Sequence, residues 1–281
     1  METPEGLTER TVTLAGGECS LAEAGAGGRP ILLVHGFSGA KEDFTPYLSR
    51  LADAGWHAVA YDNFGHGASH KPESYTLLGY RDQLFDVMSA LGWDTCVALG
   101  HSMGGMILEE AIAAQPERFE AVVLMDTSHG PIALASGYRQ IVESILASGG
   151  VPALLGAANA MAASQMAPST KALYDSDPDY QAFGDRKFLA TAEGVFLAMF
   201  DELGQRPDRL DALKTLTVPA LVIVGAEDQP FLQESEEMAA AIPQGRLALI
   251  EAAAHSPQFE APAAWWAALS GFLAGLSGAS A

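Results

Sequence analysis

Apolar residues in this chain alternate between short unbroken runs and longer stretches in which they recur every three or four positions. The runs 31–34, 96–100 and 121–125 read as strands buried on both faces. Further strands are predicted at 56–61, 220–224 and 247–250, and segments 9–14 and 18–24 about Gly16-Gly17 form a hairpin of antiparallel edge strands. Helical spacing predicts helices at 43–54 (Phe44, Tyr47, Leu48 and Leu51 along one side), 75–91, 233–241 and 261–274. The last buries Trp265, Leu269, Phe272 and Leu273; Gly275 is placed to end it, and 277–281 should fray.

Strand–helix alternation stops between about residues 130 and 214. Helical segments at 132–148, 151–164, 171–175 and 187–202 follow one another without a strand. That reads as a helical lid inserted between two parts of a core, 1–129 and 215–281. The fold class is therefore α/β: a mostly parallel central sheet flanked by helices, carrying an inserted helical lid. Of Met161, Met166, Phe183, Phe188, Phe196, Met199 and Phe200, most form the lid's own core and some face down into a pocket, and spacing does not say which. Met161, Phe196 and Met199, with Phe37, Met103 and Phe231 of the main domain, are the candidates for lining a substrate pocket.

Composition narrows the function. The net charge of −20 argues against nucleic acid and against anionic membrane surfaces. No run approaches the roughly 18 apolar residues of a membrane span, and METPEGLTER lacks the basic and apolar regions of a secretory signal, so a cytoplasmic protein is expected. Cys19 and Cys96 fall on different strands without metal-ligand spacing and are expected as two buried free thiols; no metal and no cofactor is expected. No G-x-x-x-x-G-K is present, and no G-x-G-x-x-G opens a helix after a strand. The expected partner is a small molecule, and a homo-oligomer is compatible with the sequence.

Residues 96–115, CVALGHSMGGMILEEAIAAQ, carry the chemistry. A buried strand runs into Gly100-His101-Ser102-Met103-Gly104-Gly105 and then an apolar helix closed by Pro116. So sharp a turn leaves no room for side chains at Gly100 or Gly104; it would strain Ser102 and lift its hydroxyl above the sheet. The Met103 N–H would lie at a helix N-terminus, where a developing oxyanion is favoured. After the earlier strand, His35-Gly36-Phe37-Ser38-Gly39 offers the Phe37 N–H as a second donor, with His35 bracing the loop. Asp62 and His66 stabilise the polar turn 62–69, and His101 packs structurally. The strands after the hairpin end in loops bearing Phe37, Asp62, Ser102, Asp126, Asp228 and His255. In a parallel sheet those loops share the carboxyl edge, where ligands bind.

His35-Gly36, Gly100–Gly105, Gly225-x-x-Asp228 and Ala254-His255-Ser256-Pro257 stand in the order and spacing of the α/β-hydrolase superfamily, and the chain resembles it over nearly its whole length except the lid. The resemblance implies Ser102 as nucleophile, His255 as general base then acid, Asp228 as the group orienting His255, and the Phe37 and Met103 N–H groups as the oxyanion hole. Glu227, beside Asp228, should point the other way. Asp126 is the alternative acid, because some relatives place it after that earlier strand; its other role would be to cap the turn into the lid.

The activity implied is hydrolysis of a carboxylic ester of a small or medium apolar substrate through an acyl-serine. Enol-lactone opening is the second choice. Hydrolytic C–C cleavage of a dienoic diketone is the third, disfavoured by His101 where those relatives usually carry Asn. A serine at the elbow disfavours relatives that attack alkyl halides or epoxides with aspartate. A non-catalytic ligand receptor of this fold is disfavoured by the complete set Ser102, Asp228 and His255.

Overall fold

The computed structural model describes residues 6–133, 135 and 137–277. Its strands are β1 (Thr8–Leu14), β2 (Gly17–Ala24), β3 (Arg29–Val34), β4 (Trp56–Tyr61), β5 (Cys96–His101), β6 (Phe119–Met125), β7 (Ala220–Gly225) and β8 (Gly245–Ile250). They form one sheet in the order β1-β2-β4-β3-β5-β6-β7-β8. β1 and β2 are antiparallel to each other and β2 to β4, whereas β4, β3, β5, β6, β7 and β8 run parallel.

The pleat explains the continuous apolar runs. Alternate residues face opposite ways: Leu32, Val34, Ala98 and Val122 join one apolar cluster, while Ile31, Leu33, Val97, Leu99 and Val123 join the other. Helices α2 (Leu77–Ala90) and α3 (Met103–Ala114) cover the first face, with α9 (Gln229–Ala241). Helices α1 (Thr45–Asp53) and α11 (Pro262–Ser277) cover the second, through Tyr47, Leu48, Leu51, Trp265 and Leu269. Cys19 and Cys96 are buried free thiols, and burial pushes Cys19 up to about 11.

Among the described residues, five helices lie between β6 and β7: α4 (Tyr138–Gln165), α5 (Pro168–Ser176), α6 (Pro178–Ala190), α7 (Glu193–Gln205) and α8 (Leu210–Lys214). Three expectations need correction. The segment 187–202 is two helices, because Ala192 leaves the helical backbone and donates its N–H to Gly65 O in the main domain. Helix α11 runs past Gly275, which stays helical with open space around it. Finally, α4 is long and apolar enough by length and composition to cross a membrane, a stretch hidden from a search for unbroken runs by its glycines and serines. It is not one rod, however: Gly150, at φ 64 and ψ −161, breaks it in the middle. The fraying expected at 277–281 falls largely outside the described residues.

Arg206 anchors the insertion. Its guanidinium donates to Ser128 O and to Glu109 on α3, with both side chains almost wholly buried. Such a pair is costly to break from one side, since the remaining charge would be buried alone.

Gly104 and Gly156 test the packing. A Cβ on Gly104 would sit 2.2 Å from Val34 O, whereas one on Gly156 meets nothing within 4 Å. Gly104→Ala should therefore cost about 1–3 kcal/mol or more from overpacking, and Gly156→Ala should be neutral or stabilising by about 0.4–1 kcal/mol. Denaturant midpoints check both; equal midpoints for the two variants would refute the close packing at Gly104.

Candidate active site

Ser102 joins β5 to α3 with φ 53 and ψ −120. That conformation costs a non-glycine residue about 1–3 kcal/mol unless its surroundings impose it. Here they do. A Cβ on Gly100 would lie 2.3 Å from Gly104 O, so strand and helix meet with no side chain between them. The Ser102 N–H donates to Met125 O at 2.9 Å, and its carbonyl accepts from Gly105 N–H at 2.9 Å and from Thr127 Oγ1 at 2.7 Å.

His255 follows β8, and Asp228 follows β7 at the start of α9. Helix α9 begins at Gln229, ahead of the expected 233, because Pro230 suits a first turn. His255 Nδ1 lies 2.8 Å from Asp228 Oδ2. With that proton donated to the carboxylate, the other ring nitrogen carries the lone pair. Two further contacts fix the imidazole: Phe231 stacks on it at 5.0 Å, and His101 Nε2–H donates to the His255 carbonyl at 2.7 Å.

Ser102 and His255 line one cavity of about 290 Å³, together with Gly36, Phe37 and His101. Met103 opens α3, so its N–H has no partner within the helix; Phe37 follows β3 on the same rim. The loop carrying Phe37 is braced by histidines. His35 Nδ1–H donates to Gly36 O at 2.8 Å and its Nε2 accepts the Asn63 N–H at 2.9 Å. His66 Nε2–H donates to Phe37 O at 2.6 Å. Burial lowers His35 to about 4; burial and His35 lower His66 to about 3; burial and His255 lower His101 to about 3. Asp62 accepts from the Lys41 and Ala68 N–H groups and so holds its turn.

Both rival carboxylates have other partners. Glu227 Oε2 accepts the Ser169 N–H at the start of α5, tying the insertion to the main domain. Asp126 is fully buried at φ 45, with Oδ1 accepting the Gly225 N–H at 2.9 Å and Oδ2 unpartnered. It thus ties β6 to β7 rather than capping the turn into the insertion. Burial, then the adjacent Asp228 carboxylate, raises its pKa well above the usual range, which favours a neutral acid unable to balance an imidazolium. One oxygen each of Asp126 and Asp228 and a ring nitrogen of His255 lie within 4.8 Å of one another. A cation held there would have to displace the Nδ1–H···Oδ2 bond.

The expected pocket lining is largely corrected. Phe37 lines the cavity and Phe231 stacks on His255, but the other candidates lie elsewhere. Met161 is 49 % exposed on the outer surface, Met199 and Met103 are buried in the main core, and Phe196 packs inside the insertion against Phe37 and Phe188. In their place the wall presents Ser38, Asp43, Lys187, Ser256 and Gln258.

A mostly parallel sheet with a strained serine at the carboxyl end of a central strand, and a carboxylate-bonded imidazole on the same cavity, defines a hydrolase of the α/β type. The model of the alpha/beta hydrolase fold family matches residues 29–262, and the chain belongs to that family. Among solved structures, a thermophilic esterase from Thermogutta terrifontis superposes with TM-score 0.81 at 27 % identity, covering 96 % of this chain and 99 % of that one. An enol-lactonase from Burkholderia xenovorans LB400 superposes with TM-score 0.82 at 22 % identity, over 94 % and 100 % of the two chains. In sequence, the chain is 38 % identical over 103 residues to a serine hydrolase-like protein of Danio rerio, covering 36 % of this chain and 31 % of that protein. It is 35 % identical over 127 residues to lipase 1 of Psychrobacter immobilis, covering 43 % and 39 %. The chain thus spans well under half the length of these last two relatives.

The two buried aspartates are expected to behave differently. Asp228→Asn should lower kcat by about 10⁴, through the wrong imidazole tautomer, while Asp126→Asn, which preserves shape and the bond from Gly225, should cost less than about tenfold. Steady-state kinetics on both variants check this, and the reverse ranking would move the acid to Asp126.

Proposed function

We propose that the protein is a serine hydrolase that cleaves small carboxylic esters through an acyl-Ser102 intermediate. The observation that carries this reading is the single cavity lined by Ser102 and by His255, whose Nδ1 is bonded to Asp228. A serine hydroxyl attacks poorly until a neighbouring base takes its proton. His255 would take it, Asp228 would stabilise the imidazolium, and the Phe37 and Met103 N–H groups would receive the negative charge on the substrate oxygen. The same imidazolium would then protonate the leaving alcohol. Water, deprotonated by His255, would release the acid and restore Ser102. A lactone is an internal ester and would be opened by the same steps. The likeness to the Thermogutta terrifontis esterase supports the ester reading.

The cavity volume lies near the low end of the ~300–1,000 Å³ usual for ligand sites, which favours a small substrate.

Ser102→Ala should reduce turnover of p-nitrophenyl acetate and butyrate by about 10⁴-fold or more and abolish fluorophosphonate labelling. Labelling that persists in the variant would place the nucleophile elsewhere, and a wild-type protein giving only a single burst would be a receptor.

The pH profile is a separate test. His35, His66 and His101, held near 3–4, stay neutral at working pH. The rise of kcat/KM with pH should therefore fall where an imidazole base loses its proton, and a profile flat from about pH 5 to 9 would exclude a histidine base.

A further inference from the structure

Two opposite charges, Lys187 and Asp43, stand side by side in the lining of the cavity. Lys187 comes from α6 in the insertion, and Asp43 comes from the turn that precedes α1. Their side chains form an ion pair, 14 % and 6 % exposed. The ammonium also sits 4.1 Å from the centroid of the Phe183 ring, and Asp43 Oδ2 accepts the Ala40 N–H at 3.2 Å. Gln258 also lines the cavity; it is 1 % exposed and its Oε1 has no hydrogen-bond partner among the described residues. Two other cations of the insertion are engaged elsewhere, Arg139 with Glu143 and Asp201 at the surface and Arg186 over Phe183, whereas Lys187 lines the cavity.

A purely apolar chain lying against this wall would desolvate an ion pair and a carboxamide while offering them nothing. A free carboxylate would satisfy Lys187 but would stand beside Asp43 in a chain of net charge −20. A hydroxyl or primary amide both accepts and donates, so it answers Lys187 and Asp43 together. Resting on the serine-hydrolase reading above, we propose that the Lys187–Asp43 wall selects esters or lactones bearing a neutral hydroxyl or carboxamide group away from the scissile bond.

Hydrogen bonds to charged groups are worth enough to give at least a tenfold preference. The test measures kcat/KM by pH-stat for ethyl butyrate, ethyl 3-hydroxybutyrate, ethyl succinamate and monoethyl succinate, and for propyl acetate against 2-hydroxyethyl acetate to probe the alcohol side. Active sites are titrated with a fluorophosphonate so that any loss of folded protein drops out. The wild type should prefer the hydroxyl or amide substrate over its apolar match by about tenfold or more on at least one side of the bond. Asp43→Asn, which leaves Lys187 unopposed, should raise the ratio for monoethyl succinate over ethyl butyrate by about tenfold. The double variant Lys187→Met/Asp43→Leu should reverse the order in favour of the apolar esters, a gain that unfolding cannot mimic.

Equal rates within every pair in the wild type, or a preference unmoved in both variants, would overturn the inference. A wild-type preference for monoethyl succinate would also overturn it, by showing that Lys187 acts as a free cation. Turnover of these esters that is lost in Ser102→Ala but shows no such preference would sink this inference alone. Absence of turnover of any ester would sink the serine-hydrolase reading beneath it.

Discussion

At Ser102 the backbone is held at positive φ by atoms that leave it nowhere else to go. Val34 O leaves no room for a Cβ at Gly104, Gly104 O leaves none at Gly100, and Met125 O accepts the Ser102 N–H. A conformation costing about 1–3 kcal/mol can persist only where strand pairing on both sides over-determines it. β5 has such pairing, with β3 on one flank and β6 on the other. The same geometry opens α3 immediately after the serine, so that an unpaired N–H at Met103 adjoins the hydroxyl. The position of the serine, its strain and the free N–H beside it are therefore one consequence of a single tight junction.

Burial then sorts the ionisable groups around that junction. His35, His66 and His101 are driven to low pKa and serve as neutral hydrogen-bonding braces for two loops and for the His255 backbone. Asp126 is pushed the other way, toward the neutral acid. Asp228 and His255 are joined through Oδ2 and Nδ1 at 2.8 Å, and it is on this pair that the proposed serine-hydrolase chemistry rests. Elsewhere in the cavity lining the outcome differs, since Lys187 and Asp43 pair with each other and together carry no net charge.

The main domain was legible in the sequence because its signals are local. Glycines at 36, 100 and 104 mark places where backbones touch, and apolar runs between them mark strands whose loops must emerge on one edge. Pairing of Asp228 rather than Glu227 with His255 also followed from local geometry, because adjacent side chains in an extended loop diverge. The insertion was not legible to the same degree. Met161, Phe196 and Met199 are apolar residues on helices, and nothing in their spacing says which helix face meets solvent, core or cavity. In the structure those three meet surface, insertion core and main core respectively. The break at Thr191–Ala192 carries no glycine or proline to announce it; it is imposed by the bond from Ala192 to Gly65 across the domain. The polar wall was not legible for a similar reason, since Asp43 and Lys187 lie far apart in sequence and nothing at either position marks the other as its neighbour.

A serine hydrolase of this kind must attach the acyl group covalently to the oxygen of Ser102 during turnover. Acid-quenching the wild-type enzyme during hydrolysis of a slow ester such as p-nitrophenyl pivalate, then mapping its peptides by mass spectrometry, addresses this directly. One acyl group is expected on the peptide containing Ser102, appearing at the rate of p-nitrophenol release and decaying as substrate runs out. Steady turnover with that peptide unmodified, or with the acyl group on another residue, would contradict it.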